Sequence, residues 1–130
     1  MVISVGLVVD DDPHMRRLLS EALRADGICV LEAKSGREAL RLTQTAVPHF
    51  IVTDIEMPDV DGLELCRRLR KLTATCNVPI VVVSGAAVSL GEHATAAGCD
   101  VVLPKPCSPA LLLATIQRLL VRPSGSTGQQ

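Results

Sequence analysis

A chain of 130 residues that is 48% apolar can build one buried core, and a formal net charge of −1 without any Lys/Arg block argues against direct nucleic-acid binding. No run approaches the roughly 18 continuous apolar residues of a membrane span, and the N-terminus lacks the basic flank of a secretory signal, so a cytoplasmic chain without membrane contact is expected. The five cysteines (Cys29, Cys66, Cys76, Cys99, Cys107) are odd in number and form no Cys-x-x-Cys pair, which argues against a zinc site or a disulfide framework. They read as small buried or half-buried hydrophobes.

Short apolar runs alternate five times with helix-length amphipathic segments, the pattern of repeated βα units around a parallel sheet. The first strand, Ile3–Val9, ends in Asp10-Asp11-Asp12. Asp12 before Pro13 is a helix cap with proline at the first helical position, which leaves Asp10 and Asp11 unexplained. The helix Pro13–Ala25 carries Met15, Leu18, Leu19, Ala22 and Leu23 at the spacing of one buried face, and Gly27 stops it. A strand at Ile28–Ala33 leads to Ser35-Gly36-Arg37-Glu38, a capping box that opens a helix to Ala46. The third strand, His49–Thr53, ends at Asp54, and a Pro/Asp/Gly-rich turn precedes a helix over Gly62–Leu72. The fourth strand, Ile80–Val83, ends at Ser84-Gly85, before an Ala-rich helix over Ser89–Ala97. A fifth strand, Val101–Leu103, reaches Pro104-Lys105-Pro106, and Ser108-Pro109 caps an apolar helix to Val121. Arg122–Gln130 has the composition of a disordered tail or linker, leaving one domain over residues 1–121.

Four strands thus end in chemically distinctive residues: Asp10/Asp11, Asp54, Ser84 and Lys105. Right-handed crossovers put the ends of parallel strands on one edge of the sheet, where ligands bind. Carboxylates about 4–5 Å apart repel by about 1–4 kcal/mol per pair, and a cation among them relieves that. Hard oxygen ligands with open positions suit Mg²⁺, whose shell is completed by water and phosphate oxygens. A hydroxyl (Ser84) and an ammonium (Lys105) opposite would hold phosphoryl oxygens, and one carboxylate could carry an acyl phosphate. His14, His49 and His93 have no metal-ligand spacing and read as surface or strand-edge residues.

Val8-Val9-Asp10-Asp11-Asp12-Pro13, Ile51–Gly62 (IVTDIEMPDVDG), Val81–Gly85 (VVVSG) and Leu103–Pro106 (LPKP) together resemble the receiver domain of bacterial two-component response regulators. The resemblance implies a flavodoxin-like α/β fold, a doubly wound five-stranded parallel sheet of order 2-1-3-4-5 with helices on both faces. It implies Asp54 as phosphoryl acceptor, Lys105 as the phosphate-pairing lysine and Ser84 as the switch hydroxyl. Asp10, Asp11, Asp54 and the backbone carbonyl of Glu56 would hold Mg²⁺. Met57-Pro58 and Asp61-Gly62 match the turn after the acceptor, and a cis Lys105-Pro106 bond is implied. The activity would be stoichiometric phosphoacceptance, not enzymatic turnover, with a sensor histidine kinase or histidine phosphotransfer protein as donor.

The chain departs from the family pattern on one side. Val102 stands where an aromatic switch residue is usual, Cys107 where Phe often follows Lys-Pro, and the stretch Ser84–Gly98 is one residue short. A phosphatase of the haloacid-dehalogenase type, with Asp10 as nucleophile and Asp12 as acid/base, is the rival reading. It needs acidic metal ligands after the lysine, and no Asp or Glu follows Asp100. A second rival is a degenerate receiver that only binds a partner. The donor is expected to dock on the first helix beside His14, Met15, Arg16 and Arg17. Signal output to an effector domain or partner is expected at the fourth-helix to fifth-helix face, gated by Ser84 and the loop 85–88. There Leu112, Leu113, Ile116, Leu119 and Leu120 share the core side, and Leu111 faces out with Thr115, Arg118 and Arg122.

Overall fold

The computed structural model describes residues 4–85 and 87–121. The ten elements alternate strictly: β1 Val5–Val9, α1 Pro13–Ala25, β2 Cys29–Ala33, α2 Gly36–Thr45, β3 Phe50–Asp54, α3 Gly62–Arg70, β4 Ile80–Ser84, α4 Ala87–Ala97, β5 Val101–Pro104 and α5 Pro109–Val121. All strand pairs are parallel, in the order β2-β1-β3-β4-β5. This is the doubly wound arrangement expected.

Every residue of β3 and β4 is buried, as a parallel sheet covered on both faces requires. Alternation within the strands sorts the core into two layers. Leu7, Val9, Ile51, Ile80 and Val82 pack with Ala39 of α2, Leu65 and Leu69 of α3, and Ala97 of α4. Val8, Phe50, Val52, Val81 and Val83 point the other way, onto Leu19 and Leu23 of α1 and Leu112 and Ile116 of α5. The one aromatic residue, Phe50, is completely buried, and a Cβ on Gly6 of the neighbouring strand would lie 2.2 Å from its ring. Gly6 is thus the space into which the ring fits.

The helix starts behave as their sequences predict. Asp12 accepts the His14 N–H at 2.9 Å, with Pro13 as the first helical residue, and Asp61 accepts the Glu64 N–H at 2.8 Å. In the box opening α2, Ser35 accepts from Glu38, but the Glu38 carboxylate returns to the Lys34 N–H rather than to Ser35 itself.

Several expectations need correction. Leu18 is 48% exposed, because the buried stripe of α1 centres on Leu19 and Leu23, with Ser20 buried on its flank. Leu18 lies one residue, about 100°, round the helix from Leu19, on the far side from Ser20. α3 stops at Arg70, whose guanidinium binds the carbonyls of Thr75, Cys76 and Val78 in the following turn. α4 begins at Ala87, so Ala87 and Val88 are helical and not part of a loop. In α5 Leu111 is exposed as expected, but Thr115 is buried, its hydroxyl donating to the Leu111 carbonyl at 2.8 Å. Returning its own hydroxyl to the backbone lets a threonine sit inward. Cys29 is exposed on the edge strand β2, and Cys66 and Cys99, distant in sequence, meet with their sulfurs 2.9 Å apart. Ile3, Arg122 and the tail 122–130 lie outside the described residues.

Gly6→Ala is expected to lose about 1–3 kcal/mol of unfolding free energy through overpacking against Phe50. The double variant Gly6→Ala/Phe50→Leu should lose less than the sum of the two single changes. Urea unfolding followed by circular dichroism reads both, since the chain has no Trp or Tyr; a neutral Gly6→Ala would contradict this packing.

Candidate functional site

The carboxyl ends of β1, β3, β4 and β5 converge on one cleft. Asp10 follows β1 and is 2% exposed, Asp54 closes β3 at 5%, and Ser84 closes β4 at 2%. The register places Asp54 opposite Val83, so Ser84 extends one residue further along the same edge. Lys105 follows β5, and its backbone N–H bonds the Ser84 carbonyl at 3.1 Å. The Lys105-Pro106 bond is cis, as expected. The lysine ammonium reaches Asp54 Oδ1 at 2.7 Å, and the Ile55 N–H donates to the same oxygen at 2.8 Å.

Asp10, Asp11 and Asp54 each offer a carboxylate oxygen to a common point, all within 4.8 Å of one another. Asp11 is exposed while the other two are buried, so the cluster opens to water on one side. Crowding shows in the electrostatics. Burial, then the charges of Asp54 and Asp11, push the Asp10 carboxyl up to about 6, against the Asp12 N–H and Lys105, which favour its charged form. Burial alone would lower Lys105; the hydrogen bond to Asp54 and the charges of Asp54, Asp10 and Glu56 outweigh it and hold the ammonium above its ordinary range. Three oxygen ligands around an open, electron-rich point are a donor set that fits a hard divalent cation.

The neighbouring turn packs closely against Asp54. A Cβ on Gly62 would lie 2.4 Å from the Asp54 carbonyl oxygen, and the Gly62 N–H bonds the Ile55 carbonyl at 2.9 Å. Only glycine lets α3 start this close to Asp54. Glu56 is exposed in that turn, beside buried Met57. Val102 pairs with Val82 and is partly buried on the side of α2, α3 and α4, while Cys107 is buried against the α1 and α5 layer.

Sequence reasoning missed one supporting residue. Arg16, assigned above to a docking surface, turns inward: its guanidinium donates to the Asp10 carbonyl at 2.8 Å and to Glu32 at 3.2 Å. Arg16 lies in the first turn of α1, six residues after Asp10, and only the glutamate across in β2 shows which way it points. Asp12 serves as the α1 cap, and His14 and Arg17 are exposed. His49 accepts the Val5 N–H at the strand edge, and His93 is exposed.

A family model, response regulator receiver domain, matches residues 7–117. The chain belongs to this family. Receiver domains are signalling modules that are phosphorylated on aspartate, bind Mg²⁺ in the acidic pocket, and work with histidine kinases and effector domains. The chain is 41% identical over 124 residues to the response regulator MprA of Mycolicibacterium vanbaalenii, covering 94% of this chain and 52% of that one. It thus spans about half the length of the MprA regulators it matches. The chemotaxis response regulator CheY4 of Vibrio cholerae superposes with a TM-score of 0.86 at 32% identity, over 92% of this chain and all of that one. The receiver domain of the sensor histidine kinase PA1611 of Pseudomonas aeruginosa superposes with a TM-score of 0.86 at 26% identity, over 93% of this chain and 100% of that one. That structure has a magnesium ion coordinated in its active-site cleft. The dehalogenase reading falls with this membership. Among the described residues no helix is long and apolar enough to cross a membrane.

The raised Asp10 makes the metal-free receiver pH-sensitive in a defined direction. The folded chain holds the Asp10 proton at about 6 against an ordinary 3.8. Its favourable contribution is therefore complete below about pH 4 and lost as the pH rises through about 6. In chelator, Asp10→Asn should stabilise the protein by about 3 kcal/mol at pH 8 and by almost nothing at pH 3.5. Equal destabilisation at both pH values would show that Asp10 is not held against its charge.

Proposed function

We propose that Asp54 takes a phosphoryl group from the phosphohistidine of a sensor histidine kinase or a histidine phosphotransfer protein, and that this changes the chain's affinity for an effector domain or partner. The observation that carries the reading is the 2.7 Å pairing of Lys105 with Asp54 beside Asp10 and Asp11. A carboxylate oxygen of Asp54 attacks phosphorus, the N–P bond breaks, and the donor imidazole leaves. Lys105 and the Ile55 N–H hold the carboxylate in place, and the ammonium then offsets charge on the phosphoryl oxygens. The Ser84 hydroxyl, at the end of the adjacent strand, would bond another of those oxygens.

Asp10, Asp11, Asp54 and the Glu56 carbonyl would hold Mg²⁺, which supplies neutralisation of the crowded carboxylates and of the incoming phosphoryl charge. The output face is the side formed by α4, β5 and α5, where Leu111 is 41% exposed. Val102 has no ring to swing inward. The signal would therefore pass through Ser84 and the start of α4 rather than through an aromatic rotamer.

Incubation with a small-molecule phosphodonor and Mg²⁺ should add the mass of one phosphoryl group, absent in Asp54→Asn and with chelator. Lys105→Ala should slow labelling by about 10²–10³, the worth of one positioned charge donor in comparable sites. Labelling of Asp54→Asn on another aspartate at the parent rate would overturn the assignment.

Metal affinity is read separately by melting. Because the cation would bind only the folded cluster, Mg²⁺ at about 100 times its dissociation constant should stabilise by about 2.7 kcal/mol. Asp11→Ala should abolish that gain and raise the stability of the metal-free protein. A full Mg²⁺ shift in Asp11→Ala would remove Asp11 from the metal set.

A further inference from the structure

Outside the phosphorylation cleft, the structure joins two thiols that the sequence leaves 33 residues apart. Cys66 lies on α3, completely buried among Leu65, Leu69 and Ala97. Cys99 lies in the turn between α4 and β5 and is half-buried. Both are free thiols, with their sulfurs 2.9 Å apart. A disulfide needs about 2.05 Å, so closure asks for a movement of about 0.9 Å.

The residues on either side of Cys99 are held by α3 itself. Arg70, one helical turn beyond Cys66, donates through Nε to the Gly98 carbonyl at 2.9 Å and through Nη2 to Asp100 at 2.9 Å. Asp100 in turn accepts the Ile80 N–H at 2.8 Å, and the Cys99 N–H bonds the Ala94 carbonyl at 3.0 Å. Gly98 has φ of +99°, and a Cβ there would lie 2.7 Å from the Arg70 side chain. The residue before Cys99 must therefore be glycine for the clamp to close. One helix thus supplies both a thiol and the guanidinium that fixes its partner's position.

The two thiols are also chemically unequal. The contact with Cys66, aided by the Arg70 guanidinium, holds the Cys99 thiol below its usual range. The same contact, with burial, pushes Cys66 up. The more acidic thiol is the one with access to solvent, the arrangement of an attacking and a resolving cysteine.

We propose that Cys66 and Cys99 are an oxidative modification site that closes to a reversible disulfide when a hydroperoxide reaches Cys99. The Cys99 thiolate attacks the peroxide oxygen, the O–O bond breaks, and Cys99 becomes a sulfenic acid as the peroxide leaves as water or alcohol. The Cys66 sulfur, losing its proton, then displaces hydroxide from Cys99, giving the disulfide and one water. A dithiol reductant reverses the bond by exchange. The closed form ties the end of α4 and the start of β5 to α3.

The test uses the whole chain carrying Cys29→Ser, which removes the exposed thiol that would otherwise link two molecules. After reduction, the protein is treated with hydrogen peroxide, alkylated and mapped without reductant. The expected result is loss of two hydrogens in intact mass, loss of two free thiols, and a linked peptide pair containing Cys66 and Cys99 that dithiothreitol separates. Cys66→Ala should stop at a sulfenic acid on Cys99, captured by a cyclic 1,3-diketone. Oxygen addition to Cys99 in the parent without the linked pair, or a disulfide through Cys76 or Cys107 instead, would overturn the proposal. Should Cys66→Ala fail to fold, the peptide map of the parent decides alone.

Discussion

Like charge is concentrated at one edge of the sheet, and much of the structure follows from keeping it there. Asp10 and Asp54 are almost fully buried, Asp11 completes the cluster within 4.8 Å, and among the described residues the cation paired with Asp54 is Lys105. At this spacing each carboxylate pair is worth roughly 1–4 kcal/mol of repulsion, depending on how much water screens it. One ammonium, itself about a third exposed, cannot offset all of it. Burial first, and then the charges of Asp54 and Asp11, hold the Asp10 carboxyl above its usual range. The scaffold carries this load with central strands, β3 and β4, that are buried along their whole length and packed by helices on both sides. The same imbalance is one that a divalent cation among the three carboxylates would relieve.

The support is local as well as global. The backbone at Asp10 is fixed from two directions, by its side chain accepting the Asp12 N–H and by Arg16 gripping its carbonyl. Asp12 caps the start of α1, so three consecutive aspartates do three different things: one buried in the cleft, one exposed at its mouth, one opening a helix. Gly62 performs the corresponding service for Asp54 by letting α3 begin against its carbonyl oxygen. Replacing any of these with a bulkier or neutral neighbour acts on the carboxylates indirectly, through the angle at which they leave the sheet. Preorganisation of this kind is what allows weak individual groups to act together on one substrate.

Most of this was legible in the sequence because it is periodic or terminal. Buried strands read as apolar runs, α1 was bounded by Asp12-Pro13 and Gly27, and strand ends could be listed in order. Contacts between side chains far apart in sequence were not legible. Nothing in the spacing of Cys66 and Cys99, or of Arg70 and Gly98, says that α3 and the α4–β5 turn touch; that comes only from the crossover. Leu18 and Thr115 fail for a simpler reason. A hydrophobic stripe has an edge, and polar residues such as Ser20 and Thr115 can take the inner place when their hydroxyl is small or returns to the backbone. The start of α4 was misplaced because its Ala-rich sequence has little periodicity to bound it.

The pieces of the cleft are not held with equal firmness, and the difference falls where the chain departs from its family. Asp54 and Ser84 come from strands β3 and β4, which have neighbours on both sides. Lys105 comes from β5, a four-residue edge strand that is only partly buried. Its backbone is tied to Ser84 through the Lys105 N–H, so a shift of Ser84 would be shared with β5. A large ring at position 102 would add packing that the strand must break or remake during such a shift. Valine, lying partly buried beside Val82, adds little. The edge is then governed by smaller terms: the Lys105–Asp54 ion pair at one end of β5, and at the other the Arg70 clamp on Gly98 and Asp100. The two ends of β5 are thus tied by side-chain charges to different neighbours, the Lys105 end to the buried Asp54 of β3 and the Asp100 end to Arg70 of α3.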